Sequence, residues 1–301
     1  MRLVNPHRFG SITPATVVYD NVSAMYTLRK PSMTTLWTKA VIKVYSALAS
    51  SSVYVFFDTN GEISNNSLTS TSSYDSASTT TLGTWDVADD DLLLVAWIGI
   101  NSSNTVDTNT ILESSASPKS PILKYGSGVG FVKSNGKNAI SFEKSTHQEI
   151  KVKIPMSELD TVNNFSIMSV AENNLAYSKG YYASNSTSET DGLSLYINTS
   201  NSKEIARFSP FFMQLKSINL SLNQREALFT NEPVFREAWL NNISQETNKQ
   251  STTWNNYGFI LGGSNSEIFI GKISEIIIMD TSVRLSSGDY FNEVNTYYSA
   301  Y

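Results

Sequence analysis

The sequence predicts an all-β protein, a two-sheet sandwich of jelly-roll type closed by a C-terminal helix, on three observations. The first is the stretch Glu267-Ile268-Phe269-Ile270-Gly271-Lys272-Ile273-Ser274-Glu275-Ile276-Ile277-Ile278-Met279-Asp280. It reads as two strands with a turn or bulge at Gly271. In the second strand Ile273, Glu275, Ile277 and Met279 alternate with Ser274, Ile276, Ile278 and Asp280, so both faces are largely apolar. A strand of that kind is buried between two layers. The second observation is a succession of short strand-like runs at regular spacing. The third is composition: 16% charged and 11% aromatic residues, with Ser, Thr and Asn filling much of the rest. That suits a β-rich chain with a neutral polar surface and is too aromatic for disorder.

The 301 residues suffice for one large β domain with an appendage, and the formal charge of −5 offers nucleic acid no electrostatic attraction. With no cysteine there is no disulfide, zinc–thiolate site or cysteine nucleophile. No apolar run is long enough to span a bilayer, so no membrane insertion is expected. The first ten residues lack the apolar core of a signal peptide, although the surface reads as extracellular. A virus particle assembled in the host cytoplasm reconciles the two, and so does a cytoplasmic β protein.

In chain order, Pro6, Gly10 and Pro14 make residues 1–18 an extended arm, packed either on a neighbouring subunit or on its own domain. Asp20-Asn21 caps a short helix over residues 22–29, which Pro31 stops. Strands follow over residues 40–46 and 52–58, then the Asn60-Gly61 turn. Residues 64–84 and 101–120 read as polar loops. The run at residues 91–100 is a buried strand or a short helix, which periodicity does not separate. Further strands are expected over 121–125, 139–142 (after the Ser134-Asn135-Gly136-Lys137 turn), 150–154, 164–171, 194–197, 204–208, 217–222 and 258–261. Tyr290, Phe291, Val294, Tyr297 and Tyr298 recur at helical spacing, with Ser286 or Ser287 as cap. The expected organisation is an arm (1–18), an appendage containing the short helix (19–120) and the jelly-roll domain (121–301).

Two segments carry a family resemblance. Pro121-Ile122 with Asn135-Gly136-Lys137-Asn138-Ala139-Ile140-Ser141-Phe142 is one. Phe269-Ile270-Gly271-Lys272-Ile273-Ser274-Glu275-Ile276-Ile277-Ile278, followed by a helix ending in Tyr297-Tyr298, is the other. Both resemble the concanavalin A-like (laminin G-like) jelly-roll domains of phage structural proteins. Ala24-Met25-Tyr26-Thr27-Leu28-Arg29-Lys30, and the strand after it, is similar to a segment upstream in those proteins. Asn5-Pro6-His7-Arg8-Phe9 is similar to the start of phage virion proteins. One departure stands out: the Trp-Tyr-Asp-Gln-Ser-Gly stretch usual in the family is missing from residues 105–111, so any function of that loop is not carried over.

The resemblance implies a non-enzymatic virion protein, a head fibre, capsid decoration or tail fibre component. Asn5, Pro6, His7, Arg8 and Phe9 would attach it to other virion proteins, and symmetric homo-oligomers are usual in the family. Binding of a host-surface glycan is a further expectation, with a carbohydrate-active enzyme or a soluble lectin of the same fold as the alternatives.

Glycan binding needs aromatics that stack on sugar rings and amides that bond hydroxyls. Trp254, Asn255, Asn256 and Tyr257 share one loop, and Tyr181 and Tyr182 follow Gly180. Glycosidases of this architecture use Glu-x-Asp-x-x-Glu on one strand. Glu189-Thr190-Asp191-Gly192-Leu193-Ser194 ends in Ser where the second Glu belongs, so no activity is expected. His147 reads as a surface residue. With His7 as the only other histidine, neither a catalytic triad nor a zinc site is expected. Asp86, Asp89, Asp90 and Asp91 have the oxygen density for calcium but read as a solvated turn, and no cofactor or metal is expected.

Overall fold

The computed structural model describes residues 22–32, 37–46, 48–64, 73–75, 91–101, 103–114, 120–126, 129–143, 150–152, 164–173, 179–184, 193–198, 203–208, 211–215, 223–231, 234–240, 243–248, 260–261, 263–264, 267–279 and 289–299. The first strands are β1 (Val22–Thr27), β2 (Ile42–Ser46), β3 (Ser51–Val55), β4 (Leu92–Trp97), β5 (Leu112–Glu113), β6 (Ile122–Tyr125) and β7 (Gly130–Phe131). Then come β8 (Lys133–Ser134), β9 (Lys137–Asn138), β10 (Ile140–Phe142), β11 (Ile150–Val152), β12 (Asn164–Asn173), β13 (Lys179–Ser184), β14 (Leu193–Asn198), β15 (Lys203–Phe208) and β16 (Phe211–Leu215). The chain ends with β17 (Asn223–Asn231), β18 (Val234–Leu240), β19 (Ile243–Asn248), β20 (Ile260–Leu261), β21 (Gly263–Ser264), β22 (Glu267–Ile268), β23 (Gly271–Met279) and the helix α1 (Asp289–Tyr298).

β23 lies at the centre of the first layer, as its two apolar faces require. β12 pairs along one edge, from Ser166 opposite Met279 to Asn173 opposite Gly271. β10 and β1 share the other edge end to end, Ile140 opposite Ile273 and Thr27 opposite Glu275. β17, β18 and β19 extend the layer beyond β12. In the second layer β4 lies between β2 and the short strands β5 and β6, with β3 outside β2. Beyond β5 follow β11, β20, β13, β14, β15 and β16. β10 also pairs with β6, which joins the two layers. Every pairing named here is antiparallel. This is the expected jelly-roll sandwich with its short C-terminal helix.

Between the layers Tyr26 of β1 meets Trp97 of β4 edge to face, ring centroids 5.9 Å apart at 62°. Ile167, Ile276 and Ile278 from the first layer share one apolar cluster with Val44, Val55 and Leu94 from the second. Within residues 91–100, which periodicity left open, Leu92–Trp97 form the strand β4, its positions from Leu92 to Val95 alternately buried and half-buried beside β2.

The short helix expected over residues 22–29 is instead the strand β1. A cap such as Asp20-Asn21 is worth only about 1 kcal/mol. Pairing along β23 satisfies the backbone of residues 22–27 and buries Ala24, Met25 and Tyr26 completely. Residues 101–120 are not wholly loop either, since they hold a short 3₁₀ turn at Thr108–Thr110 and β5. β13 and β16 to β19 were not separately expected. The strand expected over 217–222 lies outside the described residues.

Two glycine turns sit where the sequence marks them, and they differ in a testable way. Asn135 (φ 48°) and Gly136 (φ 78°) both adopt left-handed backbone between β8 and β9, the type I′ hairpin that Asn-Gly favours. Gly61 has φ 77° as well. A Cβ on Gly136 meets nothing within 4 Å, whereas one on Gly61 falls 2.8 Å from the Cβ of Lys30. Gly136→Ala is expected to cost only the left-handed strain, about 1–2 kcal/mol. Gly61→Ala adds a clash that Lys30 cannot relieve by rotating, because Cβ is fixed to its backbone. Urea unfolding of both variants checks the order, and equal losses would contradict this packing.

Candidate functional site

Most residues singled out for chemistry lie outside the described part of the chain: Asn5, Pro6, His7, Arg8, Phe9, His147, Glu189, Asp191, and the loop Trp254, Asn255, Asn256, Tyr257. Tyr181 and Tyr182 fall in β13, where Tyr181 pairs with Tyr196 and the register slips at Tyr182. Of the aspartates at 86–91 only Asp91 is described; its Oδ1 accepts the backbone N–H of Gly126 at 2.8 Å, which ties the start of β4 to the end of β6.

The structure draws attention to a face that sequence reading missed. Along β2 burial alternates strictly: Ile42, Val44 and Ser46 are buried, while Lys43 and Tyr45 are half-buried. On β3 Val53 and Val55 are buried, Tyr54 half-buried and Ser52 exposed. Lys43 pairs with Tyr54 and Tyr45 with Ser52, so all four occupy the outer face of the second layer. Tyr74 comes from a separate segment, held by its carbonyl accepting the N–H of Ala40 at 3.0 Å. The rings of Tyr54 and Tyr74 stand 5.9 Å apart at 73°. Lys43 Nζ lies 5.0 Å from the Tyr54 centroid. Burial, then the charge of Glu113, then Tyr74 push the Tyr54 hydroxyl above its usual range, which keeps it a donor. The signal was there in the alternation of Lys43 with Tyr45, but the approach of Tyr74 was not.

A second polar cluster lies on the outer side of β23, under α1. Glu275 is fully buried and receives a bidentate grip from Arg29, Nε to Oε2 at 2.9 Å and Nη2 to Oε1 at 3.1 Å. Its Oε2 also accepts from Thr27 Oγ1 at 2.8 Å and from the Tyr298 hydroxyl at 2.9 Å. Arg29 Nη1 donates to Glu293 of α1, and the guanidinium lies 5.2 Å and 5.9 Å from the ring centroids of Tyr297 and Tyr298. Tyr297 donates to Glu62. The side chain of Asn135 donates to the carbonyl oxygens of Tyr298 and Ser299 at the end of the helix. A carboxylate so enclosed and so fully bonded presents no open face to a substrate. This cluster clamps α1 to the sheet.

Several buried or half-buried tyrosines are held protonated. Burial, then Asp107, raises Tyr26; burial, then the bond to Glu62, raises Tyr297; burial, then Glu275, raises Tyr298. Tyr125, half-buried and donating to Glu143, is pushed up to about 12, by burial first and that bond second. Below about pH 10 folded and unfolded chains alike keep these hydroxyls protonated, so the stabilisation is complete. Above that the unfolded chain ionises first. Stability is therefore expected to fall from about pH 10 through the Tyr125 midpoint near 12. Urea midpoints followed beside tyrosinate absorbance check this, and a flat profile across that window would contradict it.

No family model and no curated protein matches the chain. Among solved structures it is similar to an arabinofuranosidase complexed with arabinofuranosyl-α-1,2-xylobiose, with TM-score 0.58 and 11% identity over 91% of this chain and 62% of that one. A GH54 α-L-arabinofuranosidase soaked with a cyclic sulfate inhibitor gives TM-score 0.58 and 10% identity over the same shares. The Ruminococcus gnavus IT-sialidase CBM40 bound to α2,3-sialyllactose reaches TM-score 0.36 and 11% identity over 42% of this chain and 81% of its own. The chain thus spans less than two thirds of the arabinofuranosidases. At this identity the likeness establishes the fold. The jelly-roll part of the expected resemblance is met, while these neighbours are carbohydrate-active proteins and not virion proteins. The expectation of a chain without enzymatic activity is overturned: structures sharing the fold over 91% of its length are glycoside hydrolases, so the fold gives no ground for excluding catalysis.

Proposed function

We propose that this chain is a carbohydrate-active β-sandwich that recognises a glycan. The observation that carries the reading is the fold likeness to arabinofuranosidases across 91% of the chain. The half-buried tyrosines on the outer face of the second layer support it, as stacking groups of the kind that sugar sites use. Trp254, Asn255, Asn256 and Tyr257 would add a second contact. Hydrolysis requires two carboxylates flanking the glycosidic bond, and the pairing of β17 with β18 puts Glu226 and Glu237 on neighbouring strands.

The finer setting is the surface of a phage particle, with the arm at residues 5–9 contacting other virion proteins and the chain in a homo-oligomer. It is supported by the residues at 5–9, 24–30 and 269–278 that resemble phage structural proteins. The test of the main reading is calorimetric titration with arabinoxylan oligosaccharides beside release of nitrophenolate from 4-nitrophenyl α-L-arabinofuranoside. Binding, or turnover that Glu226→Gln and Glu237→Gln abolish, is the expected result; neither binding nor turnover overturns the reading. Mass spectrometry of gradient-banded particles tests the setting separately, and absence of the chain discards the virion while leaving the glycan.

A further inference from the structure

We propose that the outer face of β2 and β3 is a stacking site for a neutral saccharide, with Tyr54 and Tyr74 as the ring platform and Lys43 and Glu113 as hydrogen-bonding groups at its rim. The inference rests on the glycan reading and adds a location and a ligand class to it. On this face Lys43, Tyr45, Tyr54, Leu93 and Val95 are half-buried and Ser52 is exposed, while Ala96 is buried between them. Leu93 of this face packs on the apolar cluster of Ile122, Val132 and Ala139, but the face also carries Val95, Tyr45 and Tyr54 beside Tyr74, all half-buried. A purely solvated face has no use for them, while a sugar ring, with C–H bonds on its flat side and hydroxyls around its edge, does.

The platform is built before any ligand arrives. Tyr54 stands on a paired strand, and the segment of Tyr74 is fastened at Tyr74 itself and at Asp75. The Tyr74 carbonyl accepts the N–H of Ala40, and Lys39 Nζ donates to the carbonyl of Asp75 at 3.0 Å and lies 3.4 Å from its carboxylate. The two rings therefore hold their near-perpendicular arrangement, 5.9 Å apart, without the ligand having to order them. Charge selects the ligand class. Lys39 faces Asp75, and Lys43 shares the row Tyr54, Lys43, Ala96, Glu113 across the sheet with Glu113. Among the described residues these two cations and two carboxylates balance, which favours a neutral sugar over an acidic or a basic one, and they offer donors and acceptors to hydroxyls. The outer face also carries Tyr45, diagonal to Tyr54 across the β2–β3 pair, which extends the platform beyond a single ring.

The experiment titrates the full chain with arabinofuranosyl-xylobiose, as the neutral probe, and with sialyllactose, as the acidic one. It uses wild type, Tyr54→Ala, Tyr74→Ala and Tyr54→Phe. Wild type is expected to bind the neutral probe and to prefer it over sialyllactose. Each alanine variant is expected to weaken binding about tenfold, and Tyr54→Phe, which keeps the ring, to stay within about threefold. Ring-proton shifts of Tyr54 and Tyr74 in wild type on adding the neutral probe give a readout that needs no variant to fold. If wild type binds while both alanine variants bind equally well and neither ring shifts, this site is wrong and the glycan reading stands. If sialyllactose binds more tightly, the neutral class is wrong. If wild type binds neither sugar and turns over no arabinofuranoside, the glycan reading falls and takes this site with it.

Discussion

Arg29→Ala is expected to lower the stability of the fold by about 3–5 kcal/mol, the cost of leaving a buried charge without its partner. The side chains of Arg29 and Glu275 are 4% and 0% exposed, so neither water nor salt screens the loss. Removal of the guanidinium strips Glu275 of two charge-assisted bonds, Glu293 of one, and the rings of Tyr297 and Tyr298 of the cation that lies near both. The effect should fall first on α1, because Glu293, Tyr297 and Tyr298 of that helix all meet this cluster. Protease cleavage near the C-terminus is therefore expected to accelerate before global unfolding does. Glu293→Ala is expected to cost less, since that carboxylate is 17% exposed and water replaces part of the contact. Arg29→Met combined with Glu275→Leu is expected to recover much of the loss, because paired apolar side chains remove the desolvation penalty along with the bond. Urea midpoints of the three variants measure this. A loss below about 1 kcal/mol for Arg29→Ala, the size of an exposed pair, would mean the clamp is not enclosed.

Trp97→Ala is expected to cost about 3–5 kcal/mol, for a different reason. Trp97 is fully buried where the two layers meet, edge to face with Tyr26. Its indole N–H donates to the carbonyl of Thr27 at 3.4 Å, a direct link from β4 to β1. Truncation opens a void between sheets that are each fixed by their own ladders, so neither can move in to fill it. Trp97→Phe keeps an aromatic ring against Tyr26 and gives up the bond, about 1 kcal/mol, plus some volume. The alanine variant should therefore lose clearly more than the phenylalanine variant in urea unfolding. Equal losses would show that the indole does not fill the space between the layers.

The parts of this fold that were legible in the sequence share a property: their cause lies within a few residues. Three consecutive isoleucines make β23 apolar on both faces whatever surrounds it, and such a strand has to be central. Asn135-Gly136 closes a hairpin because both residues tolerate left-handed backbone. Val294, Tyr297 and Tyr298 recur at helical spacing, so α1 announces itself. The glycosidase motif ending at Ser194 was legible too, but an incomplete pattern is no ground for excluding catalysis, because a short motif does not exhaust the carboxylates that a sheet can carry. Glu226 and Glu237 come onto neighbouring strands only through the pairing of β17 with β18.

By itself, then, the sequence determined a β-sandwich, its most buried strand, its tightest turns and its closing helix, since alternation, turn chemistry and helical period act over short range. Only the tertiary structure decided which strand lies beside which. It made residues 22–27 a strand, because the free edge of β23, some 250 residues away, outweighs a local helix cap. It joined Arg29 to Glu275 and Glu293, and it set Tyr74 beside Tyr54, pairings between segments whose own residues carry no mark of each other. Those contacts are chosen by how the whole chain buries its apolar faces and satisfies its backbone, a condition met only when all the strands are in place.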